Sequence, residues 1–396
     1  MPVPQFVEVY GLQGAKQSVV AASFQKYINK PIDTKQIEKS IADLQGTGTY
    51  SIINYNMVDK NGKAGLLIRP RTKTYAPPFL NVGLTLSAND SNNIQLGAGA
   101  RATFLDLAGP GSELRVDGMV GQIAGFTAEL YKPFKAGSHW FAAPRVYVTH
   151  SVTAYYSGSD QLAQFKQRKN GLGADLGYQF NARTELRVGE DYQWYGEHRT
   201  IGAPVEQEFR LTPLITSLRF QYLGEDEVTV PTRGTEVRSN FSFYSERPNK
   251  NGGLSQMTLS TAHFIPIGKR GIGFGTASGG TSFGASNLGL AGFSLGGPLW
   301  LSAYSRGELL GNDYVLGQAG YLYKLTSLNP VIGDSIYAGG FYEMGKVFGG
   351  NANTPSLPND ISGMVLIKTL VGPLYGGGSV GGGGHYKWYF GVGRVF

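Results

Sequence analysis

The first 76 residues combine strand-like and helix-like spacing of apolar side chains. "FVEVY" (6–10) alternates like a strand, and two helical patterns follow it. The apolar positions of the two helices are Val19, Val20, Ala22, Phe24, Tyr27 and Ile28 in the first, and Ile37, Ile41 and Leu44 in the second. Asp33 suits the N-cap of the second helix and Gly46 its C-terminal stop. Two strands, 49–58 and 62–71, join across the turn signal Asp59-Lys60-Asn61-Gly62. The pattern predicts a small β-α-α-β-β domain over residues 1–76.

From Phe79 onward the helical period disappears, and short alternating segments take its place. Examples are the segments 93–107, 112–132, 145–157 and 184–197. Small or polar residues on one parity, with apolar or aromatic residues on the other, indicate a strand between two different media. A soluble β-sandwich also alternates, but such a domain usually ends after about 100 residues. At about 20 residues per strand and connection, residues 77–396 predict a transmembrane β-barrel of roughly 16 strands.

The last strand of the sequence shows the same two faces. One parity of "GHYKWYFGVGRVF" is suited to lipid and holds Tyr386, Trp388, Phe390, Val392 and Arg394. We expect the strand at 387–396 to pair with the first barrel strand, near 79–86, and so to close the barrel. The alternative is an ordinary terminal edge strand of a soluble sheet.

The composition limits the kinds of binding site that the chain can form. The chain has 58 Gly, 23 Tyr and 21 Phe, only 16% charged residues, and no cysteine, which excludes disulfides and thiolate metal sites. The net charge of +7 is too modest to indicate nucleic-acid binding. Residues 1–75 hold ten Lys or Arg against five Asp or Glu. Either this domain contacts anionic lipid or an acidic client, or the basic residues only solvate its helices.

The N-terminus, Met1-Pro2-Val3-Pro4, lacks the basic and then apolar order of a signal peptide. We expect either that a signal peptide has been removed or that the chain is the back part of a longer polypeptide.

Enzyme motifs are weak in this sequence. Residues 280–284 match G-x-S-x-G with Ser282 as the nucleophile, but no helical pattern follows, so we interpret them as a strand end or loop. The five histidines are scattered, and we expect His139 and His385 to lie at the membrane interface. The acidic residues Glu225, Asp226 and Glu227 suggest either a cation site or, more simply, a solvated turn. No catalytic residue, cofactor site or metal site is predicted.

Three stretches give the chain a family resemblance. The small domain followed by the Gly-rich barrel resembles a polypeptide-transport-associated (POTRA) domain joined to a BamA/TamA-like outer-membrane barrel. The terminal "WYFGVGRVF", with Phe390, Gly393, Arg394 and Phe396, resembles the closing strand and insertion signal of that family. "GEDEVTVPTRGTEVRSNFSF" (224–243) resembles the mid-barrel turn, with Pro231, Thr232 and Gly234 as its motif. "FSLGGPLWLSAYSRGELLGNDY" (293–314) resembles the approach to the inward-folded loop of the family.

The loop departs from the family pattern. Counting from Gly296 and Gly297, the loop arginine of the family falls on Ser302, its glycine on Ala303 and its aromatic on Tyr304, while Arg306 and Gly307 come later. This variant is similar to the branch in which the barrel follows a patatin-type lipase on one polypeptide, as in PlpD. The departure puts the role of the family arginine in doubt here. Our hypothesis is that Arg306 reaches into the lumen toward Glu343 or Glu308.

The resemblance implies an outer-membrane location with the POTRA domain in the periplasm, and a role in delivering a polypeptide to or across the membrane. The implied partners are outer-membrane lipid, a polypeptide client or fused patatin-like passenger, the barrel assembly machinery during insertion, and a possible second copy of the chain. No nucleic-acid partner is implied. The alternatives are a stand-alone assembly factor, a passive pore, an anchor that moves nothing, or an esterase that uses Ser282.

Overall fold

The computed structural model describes residues 3–12, 14–46, 50–72, 79–88, 94–121, 123–135, 137–157, 160–205, 208–248, 250–329, 333–350, 357–369 and 372–393. Two compact units are present. One contains residues 1–80 with 102–115 and 129–143, and the other contains 81–101, 116–128 and 144–396.

The N-terminal segment has the β-α-α-β-β order that the sequence predicts. Its elements are β1 (Phe6–Val9), α1 (Gly14–Gln25), α2 (Thr34–Gly46), β2 (Tyr50–Lys60) and β3 (Lys63–Thr72). The sheet order is β1-β3-β2, with β1 parallel and β2 antiparallel to β3. Val20 and Phe24 of α1 and Ile37 of α2 are fully buried in one core. Neither helix has the length and hydropathy required to cross a bilayer.

Local turn chemistry sets the boundaries of these elements. The Lys35 amide donates to Asp33 Oδ1 at 3.0 Å, so the predicted N-cap of α2 is confirmed. Asn61 and Gly62 have φ values of 54° and 74°, as a two-residue type I′ hairpin requires, and the Gly62 amide donates to Asp59 Oδ1 at 3.0 Å. The predicted β2–β3 hairpin is therefore confirmed.

The remaining strands form one closed antiparallel barrel, apart from a small inner hairpin. In chain order the strands are β4 (Phe79–Ala88), β5 (Ile94–Leu105), β6 (Glu113–Gly121), β7 (Ile123–Pro133), β8 (Trp140–Ser157), β9 (Asp160–Asn181), β10 (Thr184–Gly202), β11 (Phe209–Leu211), β12 (Leu214–Leu223), β13 (Gly234–Tyr244), β14 (Leu254–Ile267), β15 (Gly271–Thr281), β16 (Phe293–Leu295), β17 (Leu309–Gly311), β18 (Asp313–Ser327), β19 (Gly333–Phe348), β20 (Asn359–Thr369), β21 (Gly372–Gly381) and β22 (Tyr386–Val392). The hairpin is β16–β17. Both β11 and β12 pair with β10, so they are two parts of one strand interrupted near Pro213, and the barrel has 16 strands as predicted.

One alternating run hides a hairpin. Residues 112–132 read as a single segment in the sequence, but the structure divides them into β6 and β7 on either side of residue 122. Gly121, with φ 122°, ends β6. Because a single residue separates the two strands in the sequence, the alternation is almost uninterrupted, and periodicity alone does not reveal the hairpin.

The closing strand has the predicted parity. Tyr386, Trp388 and Phe390 of β22 are exposed on the outer face, whereas Tyr389 points inward and is buried. In the described register, β22 pairs with β21 over seven residue pairs and with β4 over three. Arg394 and Phe396 lie outside the described residues.

Candidate functional site

The long connection between β15 and β18, residues 282–312, packs against the inner wall of the barrel. Its hairpin, β16–β17, buries Leu295 and Leu309 against Leu316 of β18 and Val347 of β19. The next side chains along those two strands, Val315 and Phe348, are instead exposed on the outer face. Because neighbours in a strand face opposite sides of a sheet, the loop lies in the lumen.

Glycine allows the loop to turn sharply at its tip. Gly296 and Gly297 both have φ 115°, a region that other residues rarely adopt. A Cβ atom on Gly296 would collide with the carbonyl oxygen of Ser305, across the turn. The Gly296 amide donates to the Trp300 carbonyl at 2.8 Å and the Gly297 amide to the Tyr304 carbonyl at 3.0 Å, which fixes a compact tip.

Two buried carboxylates of the barrel wall hold this tip by its backbone. Glu343 of β19 and Asp360 of β20 are directly opposed in register, and both are almost completely buried. Glu343 accepts hydrogen bonds from the amides of Leu301 at 3.2 Å and Ser302 at 2.7 Å, and Asp360 accepts one from Ala303 at 3.0 Å. A hydrogen bond contributes about 1.5–3 kcal/mol where its acceptor is charged, so the two carboxyl groups attach the tip to the barrel wall.

The tip also contacts the last hairpin of the barrel. Tyr304 is buried and stacks on His385, with ring centroids 4.3 Å apart. His385 Nε2 lies 3.3 Å from Glu308 Oε1, and its Nδ1 lies 2.9 Å from the Gly382 carbonyl oxygen. Burial, aided by the charges of Asp360 and Glu308, raises the pKa of Tyr304. The ring of His385 therefore packs against the lumen loop, and its expected position at the membrane interface stays a prediction.

The structure brings Gly296, Gly297, Ser302, Ala303 and Tyr304 together in this attachment, with Gly307 at the next turn (φ 74°). Position 302, where the family has arginine, contributes its backbone amide to Glu343, and its hydroxyl accepts a bond from the Leu299 amide at 2.9 Å.

Arg306 is exposed within the same loop. Within the described residues, Glu343 contacts the loop amides, Gln318 and Asp360, and Glu308 contacts the Ser305 amide and His385. The hypothesis that Arg306 reaches either carboxylate therefore stays a prediction.

A second segment, the turn 224–233 between β12 and β13, also enters the lumen. Val230 is buried in an apolar cluster with inward-facing Phe264, Phe274 and Phe341. Glu227 forms an ion pair with Lys368 of β20 at 2.6 Å, on a strand far from β12 in the barrel order. This turn therefore reaches across the interior.

The predicted motif residues shape that turn. Thr232 donates its amide to Asp226 Oδ1 at 2.9 Å and its hydroxyl to Oδ2 at 2.5 Å, and Pro231 beside it is buried. Burial alone would raise the pKa of Asp226, but these hydrogen bonds lower it. Gly234 (φ 111°) begins β13. Across the described ranges, no group of three His, Cys, Asp or Glu side chains could hold a metal ion.

The opposite wall carries an ion-pair ladder that sequence reasoning missed. Arg145 of β8 contacts both Asp175 of β9 and Asp191 of β10, and Arg187 and Arg219 also contact Asp175. The inward-facing positions of successive strands could predict these ion pairs, but only once the register of the strands is known.

Ser282 begins the lumen loop directly after β15 ends at Thr281. Its amide donates to Asp313 Oδ1 at 2.8 Å, and its hydroxyl accepts from Gln256 Nε2 at 3.2 Å. The interpretation of residues 280–284 as a strand end is confirmed.

The fold and its inward loop define a class: 16-stranded outer-membrane barrels with a small α/β unit before the barrel and a loop packed inside it. Residues 106–393 match the Omp85 superfamily domain, and the chain belongs to this superfamily. It is therefore a bacterial outer-membrane barrel of the translocator and assembly type.

Solved structures share the fold at low identity. BamA from Haemophilus ducreyi lacking POTRA domains 1–3 superposes with a TM-score of 0.69 and 14% identity, over 99% of this chain and 84% of that one. CdiB from Acinetobacter baumannii superposes with a TM-score of 0.62 and 7% identity, over 98% of this chain and 74% of that one. CdiB from Escherichia coli superposes with a TM-score of 0.62 and 13% identity, over 98% of this chain and 76% of that one. No curated protein sequence matches the chain.

Proposed function

We propose that this chain delivers a polypeptide to the cell surface, and that the polypeptide is a patatin-like lipase domain carried upstream on the same natural protein. Membership of the Omp85 superfamily supports the translocator class. The loop variant "LSAY" at 301–304 followed by "GELLG" at 307–311 supports the patatin-linked branch. The barrel assembly machinery inserts the barrel in this proposal, and a second copy of the chain is a further partner to test.

The observation that carries the delivery mechanism is the unequal pairing of the closing strand. Among the described residues, β22 pairs with seven residues of β21 and with three of β4, so its described attachment is shorter on the β4 side. Each backbone hydrogen bond contributes about 1 kcal/mol, and on this basis we propose that the β4–β22 seam is the part of the wall that opens. A client strand would then pair with the exposed edge.

The N-terminal domain, proposed as residues 1–76 ahead of a barrel at 77–396, would receive the client in the periplasm. Its sheet order leaves β1 and β2 as edges, and an added strand gives backbone hydrogen bonds without sequence preference.

The occupied lumen argues against a passive pore. The loop 282–312 and the turn 224–233 both pack on the inner wall and take up part of the lumen, which supports a translocator over a passive pore.

A disulfide across the seam tests the mechanism, because the chain has no cysteine of its own. Ala88 and Phe390 are opposed in register, so Ala88→Cys with Phe390→Cys should lock the seam. The matched control is Ile361→Cys with Val380→Cys, opposed across β20–β21. We expect oxidation of the seam pair to stop surface delivery of the passenger, reduction to restore it, and the control pair to have no effect. Delivery through an oxidised seam would refute this mechanism.

The mass of the native polypeptide in outer-membrane fractions tests the passenger. Faster migration before boiling is expected of the closed barrel, and a native mass well above 42.6 kDa is expected if a lipase domain lies upstream. A native mass near 42.6 kDa would instead favour a stand-alone assembly factor.

A further inference from the structure

A row of basic side chains lies on the outer face of β9, β10 and β11. Gly196 of β10 is opposed in register by Arg168 of β9 on one side and by Arg210 of β11 on the other. Directly opposed residues of an antiparallel pair share a face of the sheet. One row further along, Lys166 opposes His198.

This face is the one that meets lipid. Tyr192 and Trp194 of β10 are exposed, whereas Gln193 and Glu197, which have the opposite parity, are buried. Gln193 donates to Tyr147 and Glu197 accepts from Gln167, both on inward-facing positions of neighbouring strands. Arg168, Gly196 and Arg210 have the parity of Trp194 and therefore point outward.

The height of the row can be worked out from β9. Trp194 is opposed by Asn170, and at the other end of the strand the exposed Phe180 packs edge-on against Tyr178. From Asn170 to Phe180 the strand covers about 33 Å, or about 25 Å along the membrane normal at a tilt near 40°. That equals the apolar band of an outer-membrane barrel, with aromatic residues at both edges. Arg168, two residues beyond Asn170, lies about 5 Å outside the band, at the level of lipid headgroups.

The row faces the outer leaflet. An even number of strands makes the chain enter at β4 and leave at β22 on the same side, and the connections on that side, such as 182–183 and 268–270, are short. The long connection 282–312 starts from the other side, which is the extracellular one in barrels of this kind. The Gly202 end of β10, beyond Gly196, is on that extracellular side.

Gly196 leaves a depression of about 680 Å³ between the two arginines, bordered by Trp194, Asn170 and His198. Arg168 and Arg210 are both exposed, and neither guanidinium has a hydrogen-bond or ion-pair partner within the described part of the chain. Glu208 also borders the depression, where its carboxylate accepts the Arg199 amide at 3.2 Å.

We propose that this depression binds the phosphate group of an anionic lipid in the outer leaflet. Two guanidinium groups on either side of a residue without a side chain can both reach one phosphate, and arginine matches phosphate oxygens in pairs of hydrogen bonds. The apolar band directly below accommodates the acyl chains, and Trp194 lies at the boundary between the two. A soluble anion would gain nothing from that band, so the site is a lipid site.

Lipid binding by the full chain in detergent tests the proposal. Native mass spectrometry would measure the affinity for phosphatidylglycerol, with zwitterionic phosphatidylcholine as the reference of zero net charge. For Arg168→Gln with Arg210→Gln, we expect the affinity for phosphatidylglycerol to fall about 30-fold, which corresponds to about 2 kcal/mol for two surface arginines. The control is Lys346→Gln, an outward-facing cation on β19 over the ring of Phe348. It should bind the lipid as the unaltered chain does.

Folding of both variants is checked by their migration before boiling. An unchanged affinity in the folded double variant, or an equal loss in the Lys346→Gln control, would overturn the proposal. Equally tight binding of phosphatidylcholine would overturn it too, since the site would then not select an anionic lipid. Displacement of the lipid by millimolar inorganic phosphate would show a plain anion site and would also overturn the lipid assignment.

Discussion

The attachment of the lumen loop to Glu343 predicts how the loop responds to a one-atom change. In Glu343→Gln an amide NH₂ replaces one carboxylate oxygen, so either the Ser302 amide or the Leu301 amide loses its acceptor and faces a donor. A buried donor left without a partner costs about 1–3 kcal/mol, and hydrogen bonds that remain to position 343 lose their charge assistance. We expect the bound state of the loop to be weakened by about 2–4 kcal/mol.

Trypsin reports on the bound state. Arg306 is the only Lys or Arg between Arg270 and Lys324, so cleavage within the loop has a single site. Its neighbours Ser305 and Gly307 are buried, so a protease that needs an extended segment can cut only after the loop detaches. When detachment precedes cutting, the cleavage rate follows the detached population and should rise about 30- to 700-fold in Glu343→Gln.

The matched control is Glu185→Gln, which alters a carboxylate of the opposite wall that pairs with Arg187. It should leave cleavage at Arg306 unchanged, and Arg306→Gln should abolish it. If Glu343→Gln remains a closed barrel by its migration before boiling and is cut no faster than the unaltered chain, the hydrogen bonds to Glu343 do not hold the loop.

Three further predictions concern other parts of the molecule. Glu190 is exposed on the lipid-facing parity of β10, where only the Thr216 hydroxyl (2.7 Å) contacts it in the described structure, so Glu190→Leu should raise the free energy of unfolding by about 1–2 kcal/mol in urea titrations of vesicle-inserted barrel. An unchanged value would place Glu190 out of contact with lipid. Gly62 has φ 74° with open space around its Cα, so Gly62→Ala should destabilise the β2–β3 hairpin by about 1–2 kcal/mol through backbone strain alone, seen as faster amide exchange over 50–72. Hydrogen bonds lower the pKa of Asp226 in the folded turn, so its stabilising effect is present above the ordinary pKa of about 3.9 and disappears as the pH falls through the lower folded value. Amide exchange of Thr232 should therefore lose protection on acidification in the unaltered chain, and Asp226→Asn should abolish this pH dependence.

Features that depend on near neighbours in the chain could be predicted from the sequence. The Asn61-Gly62 turn and the Asp33 cap are each encoded within four residues, because the turn and cap chemistry acts over that distance. The lipid parity of Trp388 and Phe390 is also local, since every second side chain of a strand meets the same medium. The sequence by itself therefore determined a small α/β domain, a barrel of about 16 strands, and which residues of its last strand face outward.

Contacts between distant strands could not be predicted, because the register that creates them is a tertiary property. Glu343 and Asp360 lie side by side only when β19 and β20 pair. They accept hydrogen bonds from backbone amides, which every residue except proline carries, so no residue type in the loop indicates these contacts. The serine side chain at position 302, where the family has arginine, does not indicate that the backbone amide of this residue binds Glu343. The stacking of His385 on Tyr304 could not be predicted either, because the two residues are 81 positions apart in the chain and meet only through the folded loop.

The row of basic side chains on the outer face also depends on strand register. Arg168 and Arg210 are separated by a strand and a half of sequence, and alternation shows only that each faces outward. Their convergence on Gly196 follows from the register of β9, β10 and β11 together. Short-range periodicity thus determined the elements and their faces, whereas cross-strand pairing and the inward fold of the loop decided which side chains form a site.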